Sequence, residues 1–477
     1  MSHSGHQRRS IGRLLVLLMS LLGIFVGYQT WSTRKPAVPP PAISFKTTKS
    51  VEPALTPPTH AQTPSYVAPM QSVQIPHSTS PSILSEIHRL IEQGHYAEAE
   101  AKLQRLPADT LNDPAVRLNV ATLWNNLGAG QAKTGDAAAG LAAYKTAVAI
   151  NPRNAPAYLN LVQAYWELKD PALTIDMLEE AIQLAPQQPM PHIILAERLI
   201  ARDDLANATV HLAHAKERLS GSLQADSYLK GYIASIEKAH RSEQTFMARE
   251  SAHFTVKYDG GEDHEVWTRV LDILEEAYRD IGQQLGYFAI KPILVVLHTR
   301  ERFHDATGGP AWADGLYDPR LGRIKIPTQG ALTDQVWLTR VLRHEFVHAL
   351  LDQRMSGRRA IPTWLNEGLA MQLAGDPPPD IPALVRGEIT VLNLTYLEGP
   401  WGGLPPQHAR VAYLEGNSAT RYLIDRYGMD RVRDVLEKMA TGLPFAAVFQ
   451  DRVFISYEDF QRRWVESLNQ RLSRADP

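Results

Sequence analysis

The chain is 477 residues long, too long for one compact domain, so two or three folded units are expected. A hydrophobic share of 44% is ordinary for a globular protein, and a formal net charge of −2 provides no basic field, which argues against nucleic acid as a partner. Cysteine is absent, which excludes disulfides, thiolate metal ligands and lipoprotein processing, and suits an oxidising compartment without fixing one.

Residues 1–13 are polar and basic, with Arg8, Arg9 and Arg13, and Leu14 to Tyr28 is almost wholly apolar. This is the pattern of a signal peptide or a signal anchor. Cleavage needs small residues three and one before the cut; Thr30 and Ser32 fit that poorly, which favours an uncleaved anchor. The run is short for a span, yet usable. Basic residues before it slightly outnumber Arg34 and Lys35 after it, which points the N-terminus inward. The expectation is a single-pass anchor in the cell inner membrane over residues 1–34, with the C-terminal part of the chain on the periplasmic, extracytoplasmic side. Residues 35–81 are rich in Pro, Ser and Thr, include Pro39-Pro40-Pro41 and Pro57-Pro58, and lack periodic apolar positions. They read as an extended, disordered tether.

From Ile83 the pattern becomes helical and a repeat emerges. Trp124, Leu127, Gly128, Gly140, Tyr144, Ala147 and Pro152 recur as Tyr158, Leu161, Val162, Thr174, Leu178, Ala181 and Pro186. A third pass gives His192, Leu195, Ala196, Ala208, Leu212, Ala215 and Ser220. Large residues fill the space between two helices and small ones let them approach. The pattern resembles the tetratricopeptide repeat (TPR), with three units over about 121–222 and a degenerate helix pair at 83–106 as a cap. Trp124, Tyr144 and Tyr158 read as core residues. Three stacked units suffice for a stable solenoid. Residues 82–249 are thus expected to be TPR-like repeats, ending in a capping helix and connector over 222–250.

Alternation in Ala252–Tyr258 predicts a strand, His264–Leu285 a helix, and the apolar run Pro292–His298 a buried strand. Ala313–Tyr317 and Arg323–Ile326 flank Asp318-Pro319 and Gly322, which predicts a hairpin. Asp334–Met355 predicts a helix carrying His344-Glu345-Phe346-Val347-His348, with Thr333 or Asp334 as its N-cap and Ser356-Gly357 as its stop. Residues four apart share a helix face, so His344 and His348 can direct two imidazoles at one ion. Trp337, Val341 and Leu351 lie on the same side, so the histidine face is also the buried face. A second helix opens after Pro362 and brings Glu367 back as a third ligand. A catalytic zinc takes three protein ligands and keeps one position for water, and Glu345 beside the first ligand can serve that water as general base. Beyond it, Gly399-Pro400-Trp401-Gly402-Gly403 reads as a candidate mobile loop over the cleft. Val411–Tyr427, Met429–Met439 and Tyr457–Leu468 read as helices.

HExxH followed by a glutamate after eighteen intervening residues resembles the gluzincin arrangement. Trp364-Leu365-Asn366-Glu367-Gly368-Leu369-Ala370 is similar to the third-ligand helix of the M1 aminopeptidases, and the whole of 250–470 more closely resembles bacterial peptidase MA-like domains found beside TPR repeats. The resemblance implies an all-α TPR solenoid followed by an α+β gluzincin, thermolysin-like metallopeptidase domain over 250–477. It implies one Zn2+ per chain, held by His344, His348 and Glu367, with Glu345 as base. It also implies that one arm of the hairpin is the substrate edge, a reading that stands beside a plain sheet edge. M1 enzymes hold the substrate amine with a Gly-x-Met-Glu-Asn loop; that run is missing here, so internal peptide bonds are the expected target. Related enzymes stabilise the oxyanion with a downstream Tyr or His. Tyr413 is the first candidate and His408 a weaker one, while Tyr413 reads equally as a core residue. Some gluzincins carry a carboxylate four residues after the glutamate, where this chain has Met371.

Two functions are compatible with these residues, beside a weaker third, a zinc hydrolase of non-peptide substrates. One is a membrane-tethered zinc metallopeptidase acting on a protein or peptide substrate, with the repeats recruiting substrate or partner proteins. The other is a TPR scaffold whose metallopeptidase fold is vestigial. The intact Glu345 favours the first.

Overall fold

The computed structural model describes residues 82–475, apart from 169, 220–222, 261–263, 308–313, 328–333, 356–359, 377–391, 402–403 and 405. The expected anchor, the proline-rich tether, the Thr333 cap and the Ser356-Gly357 stop all lie outside the described residues. The membrane expectation is corrected: among the described residues no helix is long and apolar enough to cross a membrane. The expected single-pass inner-membrane placement is not retained.

The N-terminal half is helical. A short pair, α1 (Ser82–Glu92) and α2 (Tyr96–Gln104), precedes α3 (Pro114–Lys133), α4 (Ala137–Ile150), α5 (Ala155–Glu167), α6 (Ile175–Leu184), α7 (Pro189–Ile200) and α8 (Leu205–Arg218). Their starts are written in the sequence: Asp113, Asp136, Asn154, Thr174 and Asp204 each accept a hydrogen bond from a backbone N–H of the first turn. Gly128 and Gly140 explain how α3 and α4 pack so closely. A Cβ at either position would stand 2.9 Å from the other's carbonyl oxygen. Tyr144 fills the space beside them and is fully buried. A longer helix, α9 (Leu223–Glu243), closes the array against α8.

The C-terminal half holds a small mixed sheet under a majority of helix. Its strands are β1 (Met247–Glu250), β2 (Phe254–Tyr258), β3 (Ile293–His298), β4 (Leu316–Asp318) and β5 (Arg323–Pro327), in the order β1-β2-β3-β5-β4. The β4–β5 pair is the predicted antiparallel hairpin, with Tyr317 opposite Ile324. The centre is parallel, β2 with β3 and β3 with β5. Helices α10 (His264–Leu285) and α11 (Arg300–Thr307) lie in the connections that a parallel sheet requires. β1 falls where the sequence suggested connector, and α11 was not anticipated.

Side chains alternate across this sheet. Phe254, Val256, Ile293, Val295, Leu297, Ile324 and Ile326 point into the main core. The other face carries Lys257, His298, Arg323 and Lys325, and it meets the end of the repeat array. Arg323 Nη1 lies 2.7 Å from Glu243 Oε2, and Lys257 Nζ reaches the same oxygen at 3.0 Å. Asp203, in left-handed backbone at φ 62, lies between the same two cations, 2.8 Å from Lys257 and 3.1 Å from Arg323. Leu321, at the hairpin tip, is buried in the apolar cluster of α7, α8 and α9 beside Tyr232 and Ile236.

Four further helices follow α12 (Gln335–Met355) and α13 (Thr363–Ala374): α14 (Pro406–Tyr427), α15 (Met429–Met439), α16 (Phe445–Val453) and α17 (Tyr457–Ala475). α16 was not anticipated. Trp401, expected on a mobile loop, is a core residue instead: it is buried and donates its indole N–H to the Leu397 carbonyl at 3.2 Å.

Candidate metal centre

The centre is built on α12 and α13, which pack together. Asp334 caps α12 by accepting from the Trp337 N–H at 2.8 Å. Leu338, Leu342, Phe346, Val347 and Leu350 tie the helix to the core. His344, Glu345, His348 and Asp352 share another stripe of the helix, with Val341 of the core beside them. Pro362 precedes α13 and Gly375, at φ 81, ends it in left-handed backbone. Gly368 sets how close α13 comes to α14. A Cβ there would run into Thr420 and stand 2.6 Å from the Gly416 carbonyl oxygen. Only a bare glycine admits this approach, and it brings the segment around Glu367 towards the segment around Tyr413.

His344, His348 and Glu367 offer ligand atoms that all lie within 4.8 Å of one another, and among the described residues no other such group of three occurs. His344 Nε2 and His348 Nε2 are 3.1 Å apart, and Glu367 Oε2 lies 3.4 Å and 3.5 Å from them. Ligands about 2.0–2.1 Å from a tetrahedral ion stand roughly 3.3–3.4 Å from each other, the edge of the tetrahedron. The three separations match that edge. Glu367 Oε2 is also buried without a hydrogen-bond partner, the state expected of an atom reserved for a cation. The donor set of two imidazoles and a carboxylate suits such an ion.

The electrostatics agree. Burial opposes charge on both His348 and Glu367, yet their mutual attraction overrides it. His348 is lifted to about 9 by the Glu367 carboxylate, and Glu367 is held far below the usual carboxylate range by His348 and His344. The outer nitrogen of His348, Nδ1, lies 3.1 Å from Asn366 Oδ1, which fixes the imidazole orientation. Asn366 was not legible as an orienting group. Its role depends on how α13 turns against α12, and sequence spacing does not supply that.

Glu345 is buried, and its Oε2 accepts from the Tyr317 backbone N–H at 2.6 Å. Tyr317 also donates its hydroxyl to Asp352 Oδ2 at 2.7 Å. Neither residue was singled out in the sequence. Tyr413 is half-buried on α14, edge-on to Trp401 with ring centroids 4.9 Å apart. Burial raises its hydroxyl pKa above the usual tyrosine range, and the carboxylates of Glu367 and Glu345 add to the rise. It packs against Trp401 and lies within electrostatic reach of both carboxylates. His408 is exposed.

Two family models match parts of the chain. Residues 284–470 match the family model of the Peptidase MA superfamily, so the site lies within a Peptidase MA superfamily domain. Residues 155–188, spanning α5 and α6, match a tetratricopeptide repeat model. No curated protein matches the chain.

Proposed function

We propose that the chain is a zinc-dependent metallopeptidase of gluzincin type that hydrolyses internal peptide bonds, with His344, His348 and Glu367 as the zinc ligands. The observation that carries this reading is the triangle of ligand atoms, 3.1, 3.4 and 3.5 Å on its sides, with the Glu345 carboxylate one residue from the first ligand. The Peptidase MA superfamily match over the same helices supports it. One bound zinc would supply Lewis acidity, making a water molecule more acidic and a peptide carbonyl more electrophilic.

The protein's own residues do the rest. Glu345 takes a proton from the attacking water at the carboxylate oxygen not engaged by Tyr317, then passes it to the departing amine nitrogen. Tyr413 remains protonated at neutral pH, because ionising it would place a third negative charge beside two buried carboxylates. Its hydroxyl donates towards the oxygen on which negative charge develops. Asn366 keeps the His348 ring in place. The helical repeats present a surface for protein substrates or partners, as the TPR match suggests.

The test is metal analysis of protein purified without chelator, joined to hydrolysis of fluorescein-labelled casein. About one zinc per chain is expected, most of it lost in His348→Ala. Glu345→Gln keeps size and hydrogen-bonding shape but removes the base. Its zinc content and Tm should stay at the wild-type level while hydrolysis falls at least about a hundredfold. Wild-type protein without stoichiometric metal refutes the zinc reading. Wild type and Glu345→Gln equally inert, with the repeats still binding a protein, would favour the scaffold reading.

A further inference from the structure

The latch between β4 and α12 goes beyond the metal ligands and the base. Among the described residues β4 is the last strand of the sheet, and one of its edges has no strand partner there. On such an edge alternate N–H groups point outward. The outward N–H of Tyr317 is held by the Glu345 carboxylate at 2.6 Å. The same residue sends its hydroxyl to Asp352 at 2.7 Å. Asp352 lies seven residues beyond Glu345, two turns along the same face of α12. One tyrosine therefore ties the strand to the helix at two points, one of which is the proposed base.

We propose that Tyr317, anchored by Asp352, is the positioning residue for Glu345. This rests on the reading of Glu345 as general base. A glutamate has three rotatable side-chain bonds and samples several rotamers unless something fixes it. Among the described residues the backbone donor to Glu345 is Tyr317, and that backbone is fixed in turn through the ring by Asp352. Gly315 completes the seat: a Cβ there would stand 3.2 Å from Glu345 Cγ and 2.6 Å from Val341 Cγ1, so the approach to the helix needs a glycine. The arrangement engages one carboxylate oxygen and leaves the other to receive the proton. A misplacement of about 1 Å can cost a catalytic group up to a hundredfold.

The experiment uses the full chain and two independent readouts. Tyr317→Phe keeps the ring and removes the anchor; Asp352→Ala removes it from the other side; Asp352→Asn keeps an oxygen that accepts from the tyrosine hydroxyl. With zinc content unchanged, kcat on a fluorogenic peptide derived from casein cleavage should fall about tenfold in Tyr317→Phe and Asp352→Ala. KM should stay within about twofold, the signature of a contribution made in the transition state. Asp352→Asn should restore most of kcat. Hydrogen exchange of the peptide spanning 314–319, read by mass spectrometry, should quicken about tenfold in Tyr317→Phe and Asp352→Ala and stay slow in Asp352→Asn. The exchange readout needs no turnover, so it decides the latch even if wild type is inert, an outcome that defeats the peptidase reading instead. Unchanged exchange in both Tyr317→Phe and Asp352→Ala overturns the latch. Lost zinc and a collapsed Tm in Tyr317→Phe and Asp352→Asn alike make Tyr317 structural and overturn the positioning role.

Discussion

Replacing Glu243 with Gln tests the junction between the repeats and the sheet. Glu243 is 2% exposed and Arg323 is 0% exposed, so this ion pair is out of water. Glu243 Oε2 serves both Arg323 at 2.7 Å and Lys257 at 3.0 Å. Gln keeps the volume and an accepting oxygen but removes the charge, leaving buried Arg323 and half-buried Lys257 with Asp203 alone. Asp203 is a poor substitute: its Oδ1 stands 3.1 Å from Arg323 Nη2 without hydrogen-bond alignment. Removing one partner of a buried pair typically costs about 3–5 kcal/mol. Here the second carboxylate moderates that, so about 2–4 kcal/mol is expected. The control is Asp259→Asn, which breaks the pair with Arg302 at 2.9 Å, where the side chains are 40% and 61% exposed. That loss should not exceed about 1 kcal/mol. Urea unfolding at pH 7 in matched buffers, followed by tryptophan fluorescence and circular dichroism, measures both. Two losses of equal size would refute the argument that burial, not distance, sets the value of these pairs.

Two further outcomes are expected. In Gly368→Ala the new methyl meets the Gly416 carbonyl and Thr420, so α13 and α14 must separate; the Tm should drop by an amount equivalent to about 1–3 kcal/mol, and zinc should be lost to a chelator sooner than from wild type. Glu415 is fully buried and accepts from the Leu392 N–H at 3.0 Å; burial raises its pKa to about 8, with that hydrogen bond opposing the rise. The folded protein thus holds a proton that the unfolded chain releases near pH 4.5. The Glu415 contribution is present below that value and is lost as pH rises towards 8. Thermal scans at pH 5 and pH 8 should show a larger fall for wild type than for Glu415→Gln; parallel curves would show that Glu415 is charged in the fold.

Much of this was legible because it is local. HExxH is a statement about one helix face, and the structure places His344, His348 and Glu367 together as the spacing suggested. The repeat positions are local too: Gly128, Gly140 and Tyr144 sit against one another as the 34-residue period implied. The caps at Asp113, Asp136 and Asn154 are local as well, each side chain accepting from a backbone N–H two or three residues on. Long-range pairings were not legible. The parallel registry of β2, β3 and β5 depends on which strands meet, and a short apolar run does not encode its partner's direction. Asn366, Tyr317 and Asp352 are ordinary residues in ordinary elements. Their roles arise where α13 and β4 cross α12, and nothing in their spacing marks that crossing. Trp401 misled because flanking glycines suggest mobility, while its large apolar surface decided for the core.

The β4–β5 hairpin links the two halves more closely than a flexible linker would. Its tip residue Leu321 sits in the apolar cluster of the last repeat helices, and the Tyr232 hydroxyl donates to the Arg320 carbonyl at 3.4 Å. Its β5 arm carries Arg323, bolted to Glu243 and Asp203. Its β4 arm carries Tyr317, bonded to Glu345. Arg323 and Asp318 are register partners across the hairpin, and Asp318 follows Tyr317 directly. The last repeat and the proposed base are therefore separated by one two-stranded element fixed at both ends. The contacts at the hairpin tip and along β5 therefore tie the same element that meets α12 through β4 to the repeat array. The repeats in this chain support the strand that seats Glu345 as well as offering a surface to other proteins.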